Sequence, residues 1–366
     1  MRFAPGADKL VCEHCGHEEP VTAGAGTGAD TIESLTAIPS TRTRNKHLTE
    51  HDYQAALADA LPPTAMEEVR TVTCPSCGAS FEFDPHVHAA ECPFCATPIV
   101  TDTGAHRQIK PQALVPFQLT EVQARAAMTK WLGRLWFAPN GLVQYARKGR
   151  ALTGIYTPYW TFDADTRSTY TGQCGVAYYE TRTVTVQVDG RNQTRQEQVR
   201  KIRWYPAAGT VARRFDDVLA LASTSLPRGY VDALEPWDLS GLEAYRPDYL
   251  AGFRAEGYSV GLEEGHSIAR VKMDRVIEQD VRRDIGGDEQ RIHSIDTTAT
   301  NETFKHVLLP IWMAAYKYRG KSYRFVVNGQ TGKVRGERPW SWWKIAGAVL
   351  VAAVAIGVVV YLKQNQ

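Results

Sequence analysis

The chain has 366 residues, of which 43% are hydrophobic and 22% charged, with a formal net charge of +2. That apolar content excludes a disordered chain and suffices for two domains of ordinary size beside a small module. The near-neutral charge excludes a polyanion-binding surface spread over the whole molecule, so any basic surface is local.

The start, Met1-Arg-Phe-Ala-Pro5, has no apolar segment and predicts no signal peptide. Seven cysteines divide into three Cys-x-x-Cys pairs plus Cys174, a pattern that in a reducing compartment favours metal over disulfides. Cys174 falls in a strand-like stretch and reads as a packed thiol. Shifting the sequence by 80 aligns Phe3-Ala-Pro5 with Phe83-Asp-Pro85 and Cys12-x-x-Cys15 with Cys92-x-x-Cys95. Residues 1–20 therefore read as a degenerate half zinc ribbon whose first cysteine pair would precede Phe3. Either translation starts further upstream or that unit has decayed. Cys12 and Cys15, even with His14 or His17, make a weak ligand set. Residues 21–70 read as linker, rich in Gly, Ala and Thr from Thr22 to Pro39, with a short helix over Thr49–Leu61 carrying Tyr53, Leu57 and Leu61 on one face and stopped by Pro62-Pro63.

Residues 71–105 read as a zinc ribbon. Cys74-Pro-Ser-Cys77 and Cys92-Pro-Phe-Cys95 are separated by 14 residues, enough for a short hairpin between two turns that each offer two sulfurs to a tetrahedral Zn²⁺. A site closed by four sulfurs leaves no position for water or substrate, so this Zn²⁺ is structural. His86-x-His88 lies inside the hairpin and is surplus to the four cysteines.

Residues 106–339 read as an α+β domain with meandering antiparallel sheet and two long helices. Thr120-Glu-Val-Gln123 is a capping box opening a helix to about Phe137, with Met128, Leu132 and Leu135 inward and Pro139-Asn140-Gly141 beyond it. Strands follow from Gly154 to about Asp217, with a hairpin signal at Asp189-Gly190. A second helix from about Ser259 carries Ala269, Met273, Ile277 and Val281 on one stripe and stops at Gly286-Gly287. Further strands are predicted over Arg291–Ala299, His306–Tyr318 and Ser322–Val327, with turns at Arg319-Gly320 and Asn328-Gly329.

Residues 340–366 read as a transmembrane anchor and short tail. Ile345 to Leu362 is 18 residues without a charge, which as a helix covers roughly 27 Å and just crosses a bilayer core. Trp340, Trp342 and Trp343 mark the interface, with Lys344 reaching toward water. Lys333, Arg335, Arg338 and Lys344 precede the span and only Lys363 follows it, so the positive-inside rule predicts a single-pass inner-membrane protein with its bulk in the cytoplasm.

Catalytic constellations are present only as fragments. Gly320-Lys321-Ser322 lacks the earlier glycine of a phosphate loop and reads as a hairpin turn. Glu263-x-x-His266 lacks the second pair that a di-iron site needs and reads as a solvated helix face. The basic stretch Arg191–Trp204 reads as the wet face of a hairpin, with anionic lipid as its functional alternative.

The cysteine pairs, together with Gly154-Ile-Tyr-Thr-Pro-Tyr-Trp160, Pro236-Trp-Asp-Leu239, Leu308-Leu-Pro-Ile-Trp312, Asn328-Gly-Gln-Thr-Gly332 and Gly336-Glu-Arg-Pro339, resemble a family of bacterial zinc-ribbon proteins with a C-terminal membrane segment. Its members are often called primosomal protein N-prime (replication factor Y), superfamily II helicase, or TFIIB-type zinc ribbon-containing protein. The helicase name rests on the ribbon, since the motor domains and their ATP-binding loop have no counterpart here. Relatives in gene clusters with SPFH-type and phage-shock proteins imply recruitment of membrane-stress proteins. The family's first ribbon normally has four cysteines, and this chain departs from it there. The expectation is a non-enzymatic, membrane-anchored zinc-ribbon adaptor that binds lipid through residues 345–362 and a protein partner. The alternative is a nucleic-acid-binding factor of replication or transcription.

Overall fold

The computed structural model describes residues 1–21, 48, 50–76, 78–82, 89–92, 97–100, 104–139, 152–188, 191–318 and 321–364. The first module is a three-stranded antiparallel sheet of β1 (Arg2–Ala4), β2 (Lys9–Val11) and β3 (Glu18–Pro20). It is fastened to the body by Phe3, whose buried ring meets Tyr249 edge-on at 5.1 Å and whose N–H donates to the Ala251 carbonyl at 2.9 Å. After β4 (His51–Asp52) comes α1 (Tyr53–Leu57), five residues where the sequence predicted thirteen. Asp52 caps it by accepting the Ala55 N–H at 2.7 Å, and Asp59 turns left-handed (φ 57°) before Pro62 is reached. Of the predicted apolar face, Tyr53 is buried while Leu57 is exposed.

The cysteine-rich part comprises β5 (Met66–Thr73), β6 (Ser80–Glu82), β7 (Ala89–Glu91), β8 (Pro98–Val100) and β9 (Gly104–Ile109). β5 pairs antiparallel with both β6 and β9, and β7 with β8. After β10 (Ala113–Leu114), α2 (Glu121–Gly133) opens on the predicted capping box: Thr120 Oγ1 accepts the Gln123 N–H at 3.3 Å and Gln123 Oε1 accepts the Thr120 N–H at 2.9 Å. Met128 and Leu132 are buried as predicted. The helix ends at Gly133, short of Phe137, and the chain continues in tight turns closed by Leu135 N–H to the Leu132 carbonyl and Ala138 N–H to the Leu135 carbonyl. The residues that follow Pro139, including Asn140-Gly141, lie outside the described ones.

The body is α+β and rich in sheet, but it is not a meander. β11 (Thr153–Val188) and β12 (Arg191–Leu221) are single strands of 36 and 31 residues. After α3 (Arg228–Asp232), β13 (Glu243–Ala244), β14 (Arg254–Ala255) and α4 (Leu262–Ile285), the chain returns as β15 (Glu289–Tyr318), 30 residues that join the two strands predicted over 291–299 and 306–318. β16 (Lys321–Asn328) and β17 (Val334–Gly336) complete the sheet, whose order is β12-β11-β15-β10-β13 with β4, β14, β16 and β17 attached beside that path. β15 thus lies against β11 and not β12, because a helix crossover separates them in sequence. The predicted hairpin turns at Asp189-Gly190 and Arg319-Gly320 lie outside the described residues; the ladders flanking them close at Val188–Arg191 and Tyr318–Lys321.

The motifs that carry the family resemblance build this core. Gly154 faces Trp312 across the β11–β15 ladder, and Phe117 stacks on Phe253 at 4.2 Å beside them. Asn328 is buried; its Oδ1 accepts the Gln330 and Thr331 N–H groups, both at 2.8 Å, which folds Asn328–Gly332 into a side-chain-closed turn. The predicted stripe Ala269, Met273, Ile277 and Val281 is buried, and α4 lies along the three-stranded part of the ribbon, ending at Gly286 and Gly287 with positive φ. Gly265 lets it cross Trp160, since a Cβ there would come within 2.4 Å of the indole.

All three long strands break register at one level. β11 shifts around Asp163 against both neighbours, and Asp217 of β12 and Asn301 of β15 both take φ 53°. Lys305 is buried there, its Nζ 2.8 Å from Glu50 Oε1, 2.8 Å from Asp217 Oδ1 and 3.5 Å from Asp163 Oδ2. Burial pushes the Asp163 carboxyl up to about 7 against the pull of Lys305, whereas the lysine itself is raised, its own burial being outweighed by Asp217 and Asp163. Bulges absorb extra residues without ending a strand, which is why one ribbon forms where local patterning predicted several strands.

Candidate metal centre and its mounting

Each cysteine pair begins at the tip of a hairpin, and the three hairpins close alike. The last ladder pairs are Val11–Glu18, Thr73–Ser80 and Glu91–Pro98, so in each the residue before the first cysteine faces the residue six beyond it. The first cysteine's N–H donates five residues on: Cys12 to the His17 carbonyl at 2.9 Å, Cys74 to Ala79 at 2.8 Å and Cys92 to Thr97 at 2.8 Å. In the first two turns a glycine four residues on, Gly16 or Gly78, adopts φ 73° and returns its N–H to the cysteine carbonyl at 2.9 Å. Such a curl turns backbone N–H groups inward toward the sulfur. At Cys12 the N–H groups of Cys15 and then His14 hold the thiol below its ordinary value, as a metal-ligating thiolate requires.

Cys74 and Cys92 are 1% and 2% exposed and belong to one buried cluster with Val72, Ala79, Leu226, Val231 and Trp237. Their partners Cys77 and Cys95 lie outside the described residues, as does His86-x-His88. Among the described residues no three His, Cys, Asp or Glu side chains gather as a metal set. The donor chemistry and the shared closure of the turns fit Zn²⁺ held by Cys74, Cys77, Cys92 and Cys95. Cys12 is partly buried and Cys15 exposed at the tip of the first module.

The cysteine-rich part is seated on the body. Lys110 N–H donates to the Ala65 carbonyl at 2.9 Å, extending the β5–β9 ladder at its base, and Gly257 N–H reaches from the body to the Ser80 carbonyl at 3.2 Å. Beside the second contact, Glu256 is fully enclosed; burial pushes its carboxyl up to about 8 even though the Ser223 and Ser225 hydroxyls act the other way. Unfolded, this group titrates near 4.5. Between those values the folded state holds a proton that the unfolded state has released, so stability falls as pH rises through the window and the cost is absent below it. At pH 8 and above it reaches on the order of 4 kcal/mol. Glu256→Gln is expected to flatten the pH dependence of thermal unfolding between pH 5 and 8.5; an unchanged slope would refute this assignment.

At the other end α5 (Trp342–Gln364) contains an apolar span, Trp342–Lys363, 22 residues whose most apolar 18 have mean hydropathy 2.7 and are not buried. It is long and apolar enough to cross a bilayer. Its root is stapled to the turn after α2: Ser341 N–H donates to the Phe137 carbonyl at 2.8 Å, and Lys344 Nζ to the Ala138 and Trp136 carbonyls at 2.8 and 3.2 Å. Lys344 therefore does not reach into water as predicted. The staple brings Trp136, 80% exposed, to the root of the helix that carries Trp342 and Trp343, which are 78% and 89% exposed. Sequence reading missed Trp136 because about 200 residues separate it from the others; no local pattern reports that contact.

The remaining candidates have ordinary partners. His266 is not solvated: it stacks on Tyr53 at 4.1 Å and meets Glu302 Oε1 through Nε2 at 2.9 Å, tying α1, α4 and β15 together. In the basic stretch Lys201 pairs with Glu180, Arg200 with Glu289 at 2.8 Å, and Arg203 lies 5.1 Å over the Tyr178 ring. Lys201 and Arg200 are thus matched by acidic partners within the chain. They also lie far from the root of α5, which leaves the sheet at the level of Thr153. From Thr153 to Tyr178, opposite Lys201, the strand contour is roughly 80 Å at about 3.3 Å per residue.

No family model matches the chain, and no solved structure matches it. It is similar to the uncharacterized protein YdjG of Bacillus subtilis (strain 168), with 28% identity over 241 residues, or 65% of this chain and 66% of YdjG, just under two thirds of that protein's length.

Proposed function

We propose that the chain is a membrane-anchored zinc-ribbon adaptor, non-enzymatic, that presents a rigid recognition head to a protein partner on the cytoplasmic side of the inner membrane. The observation that carries this reading is the continuity of the mounting. The Cys74–Cys92 hairpins share a buried core with the α+β body, and that body is stapled through Phe137, Ala138 and Ser341 to the apolar helix. A head fixed in this way keeps a constant pose beside lipid, which is what recruitment requires. Structural Zn²⁺ on Cys74, Cys77, Cys92 and Cys95 would rigidify the recognition surface, and the Trp136, Trp340, Trp342 and Trp343 rings would lie at headgroup depth. SPFH-type or phage-shock-type proteins are the partners that the family resemblance implies.

Crosslinking in intact cells, then solubilisation, zinc analysis and mass spectrometry of what co-purifies, tests the proposal. The expected result is a membrane-fraction protein with one zinc per chain and a reproducible protein partner. Recovery in the soluble fraction would refute the anchor. A salt-dependent gel shift of DNA by residues 1–339, without a protein partner, would replace the adaptor by the replication or transcription reading.

A further inference from the structure

We propose that the distal arm of the ribbon pairs edge to edge with the same arm of a second copy of this chain. β15 begins at Glu289, opposite Gly175, and beyond that level, among the described residues, only β11 and β12 continue, as thirteen residue pairs from Val176–Arg203 to Val188–Arg191. At about 3.4 Å per residue the arm is roughly 44 Å long. A two-stranded ribbon alone in water is marginally stable, and its edges present rows of backbone donors and acceptors.

Asp288 fixes which groups face the edge that β15 leaves open. Its N–H donates to the Gly175 carbonyl at 2.9 Å, and its Oδ2 accepts the Ala177 N–H at 2.8 Å. The β11–β12 ladder runs without a shift from Ala164 to Val188, so the alternation continues along the strand. Tyr179, Thr181 and Thr183 therefore aim their N–H and C=O groups at the open edge next. Those groups have no partner among the described residues.

Two identical strands paired antiparallel about a two-fold axis match these odd-numbered residues with one another only when the axis passes through a residue. An axis at Glu180 or Arg182 sets like charges face to face. An axis at Tyr179 or Thr183 sets each charge opposite an uncharged residue. An axis at Thr181 sets Glu180 opposite Arg182 of the second copy, twice, and Tyr178 opposite Val184, twice. Signs then alternate across four strands: Lys201, its partner Glu180, Arg182 of the second copy, and the Glu197 opposite that arginine. Opposite charges and aromatic to β-branched pairs are the combinations that stabilise adjacent strands. Tyr178 and Tyr179 are 39% and 66% exposed, as residues awaiting a third strand would be. The contact covers about seven residues per copy, too little for a tight dimer of free molecules, and confinement of both copies to one membrane raises their effective concentration.

Sedimentation of the full chain in detergent micelles and its repetition in nanodiscs test this. The expected result is a concentration-dependent monomer–dimer equilibrium. Glu180→Arg and Arg182→Glu should each weaken it at least about tenfold, since each turns two attractive pairs between the copies repulsive, and the double variant E180R/R182E, combined with K201E and E197K so that the pairs inside each hairpin stay opposite in sign, should restore it. Thr181→Pro is a second probe, because it removes the donor on the axis and no β11–β12 hydrogen bond; it should give monomer with unchanged circular dichroism. A chain that stays monomeric at every concentration, a dimer that survives both charge reversals, or a folded combined variant that stays monomeric would overturn the proposal.

Discussion

Cys74→Ser is expected to abolish the zinc binding proposed for Cys74, Cys77, Cys92 and Cys95 and to release the hairpins around Cys74 and Cys92 from the body. Structural Zn²⁺ contributes an apparent binding free energy of roughly 10–16 kcal/mol near neutral pH, and much of it is folding energy for a module with little core of its own. Here the loss spreads further, because Cys74 and Cys92 share their buried cluster with Leu226, Val231 and Trp237. Zinc content by elemental analysis should fall from one to zero per chain, and hydrogen exchange at Val72, Cys74 and Ala79 should lose its protection. Cys12→Ser should leave the zinc content at one, since among the described residues Cys12 and Cys15 are joined by no further pair of cysteines at the tip of the first module. Retention of a full equivalent by Cys74→Ser would remove the ribbon from the account.

Lys305→Met is expected to destabilise the body by about 3–5 kcal/mol, the usual result of deleting one member of a buried ionic group and leaving the other charges enclosed. Asp163, Asp217 and Glu50 would face one another at the level where all three long strands bulge. The direction of the pH response separates this from simple loss of packing. Burial already lifts the Asp163 carboxyl to about 7 against the pull of Lys305, and without the ammonium it rises further, so this group is protonated and carries little cost at pH 5, and the deficit grows as pH rises toward 8. Thermal melts of both proteins across that range should show the gap widening. A constant gap would mean that Lys305 contributes only through its aliphatic stem.

Several features were legible because their physics is local. A capping box needs residues three apart, and Thr120 and Gln123 form it. The stripe Ala269, Met273, Ile277 and Val281 follows from 3.6 residues per turn. The offset of 80 between Cys12 and Cys92 already related two of the three hairpins that close alike. Prediction fell short in two ways: a local cap or turn outweighed the apolar spacing, or the deciding interaction was distant. Thr49–Leu61 reads as helix by spacing, yet Asp52 caps it late and Asp59 ends it early. His266 reads as solvated until Tyr53, more than 200 residues away, is laid on its ring.

The sequence alone determined the capping box and buried stripe of the two long helices and the apolar span at the C-terminal end, since each depends on residue type at short spacing. The tertiary structure alone decided that three strands run as one ribbon, that β15 begins only at Glu289 and leaves an arm of two strands beyond it, that Lys305 meets three carboxyl groups, and that Trp136 stands at the root of the apolar helix. The reason is that a helix satisfies its backbone with groups four residues away, whereas a strand continues only as far as a neighbour from elsewhere in the chain accompanies it.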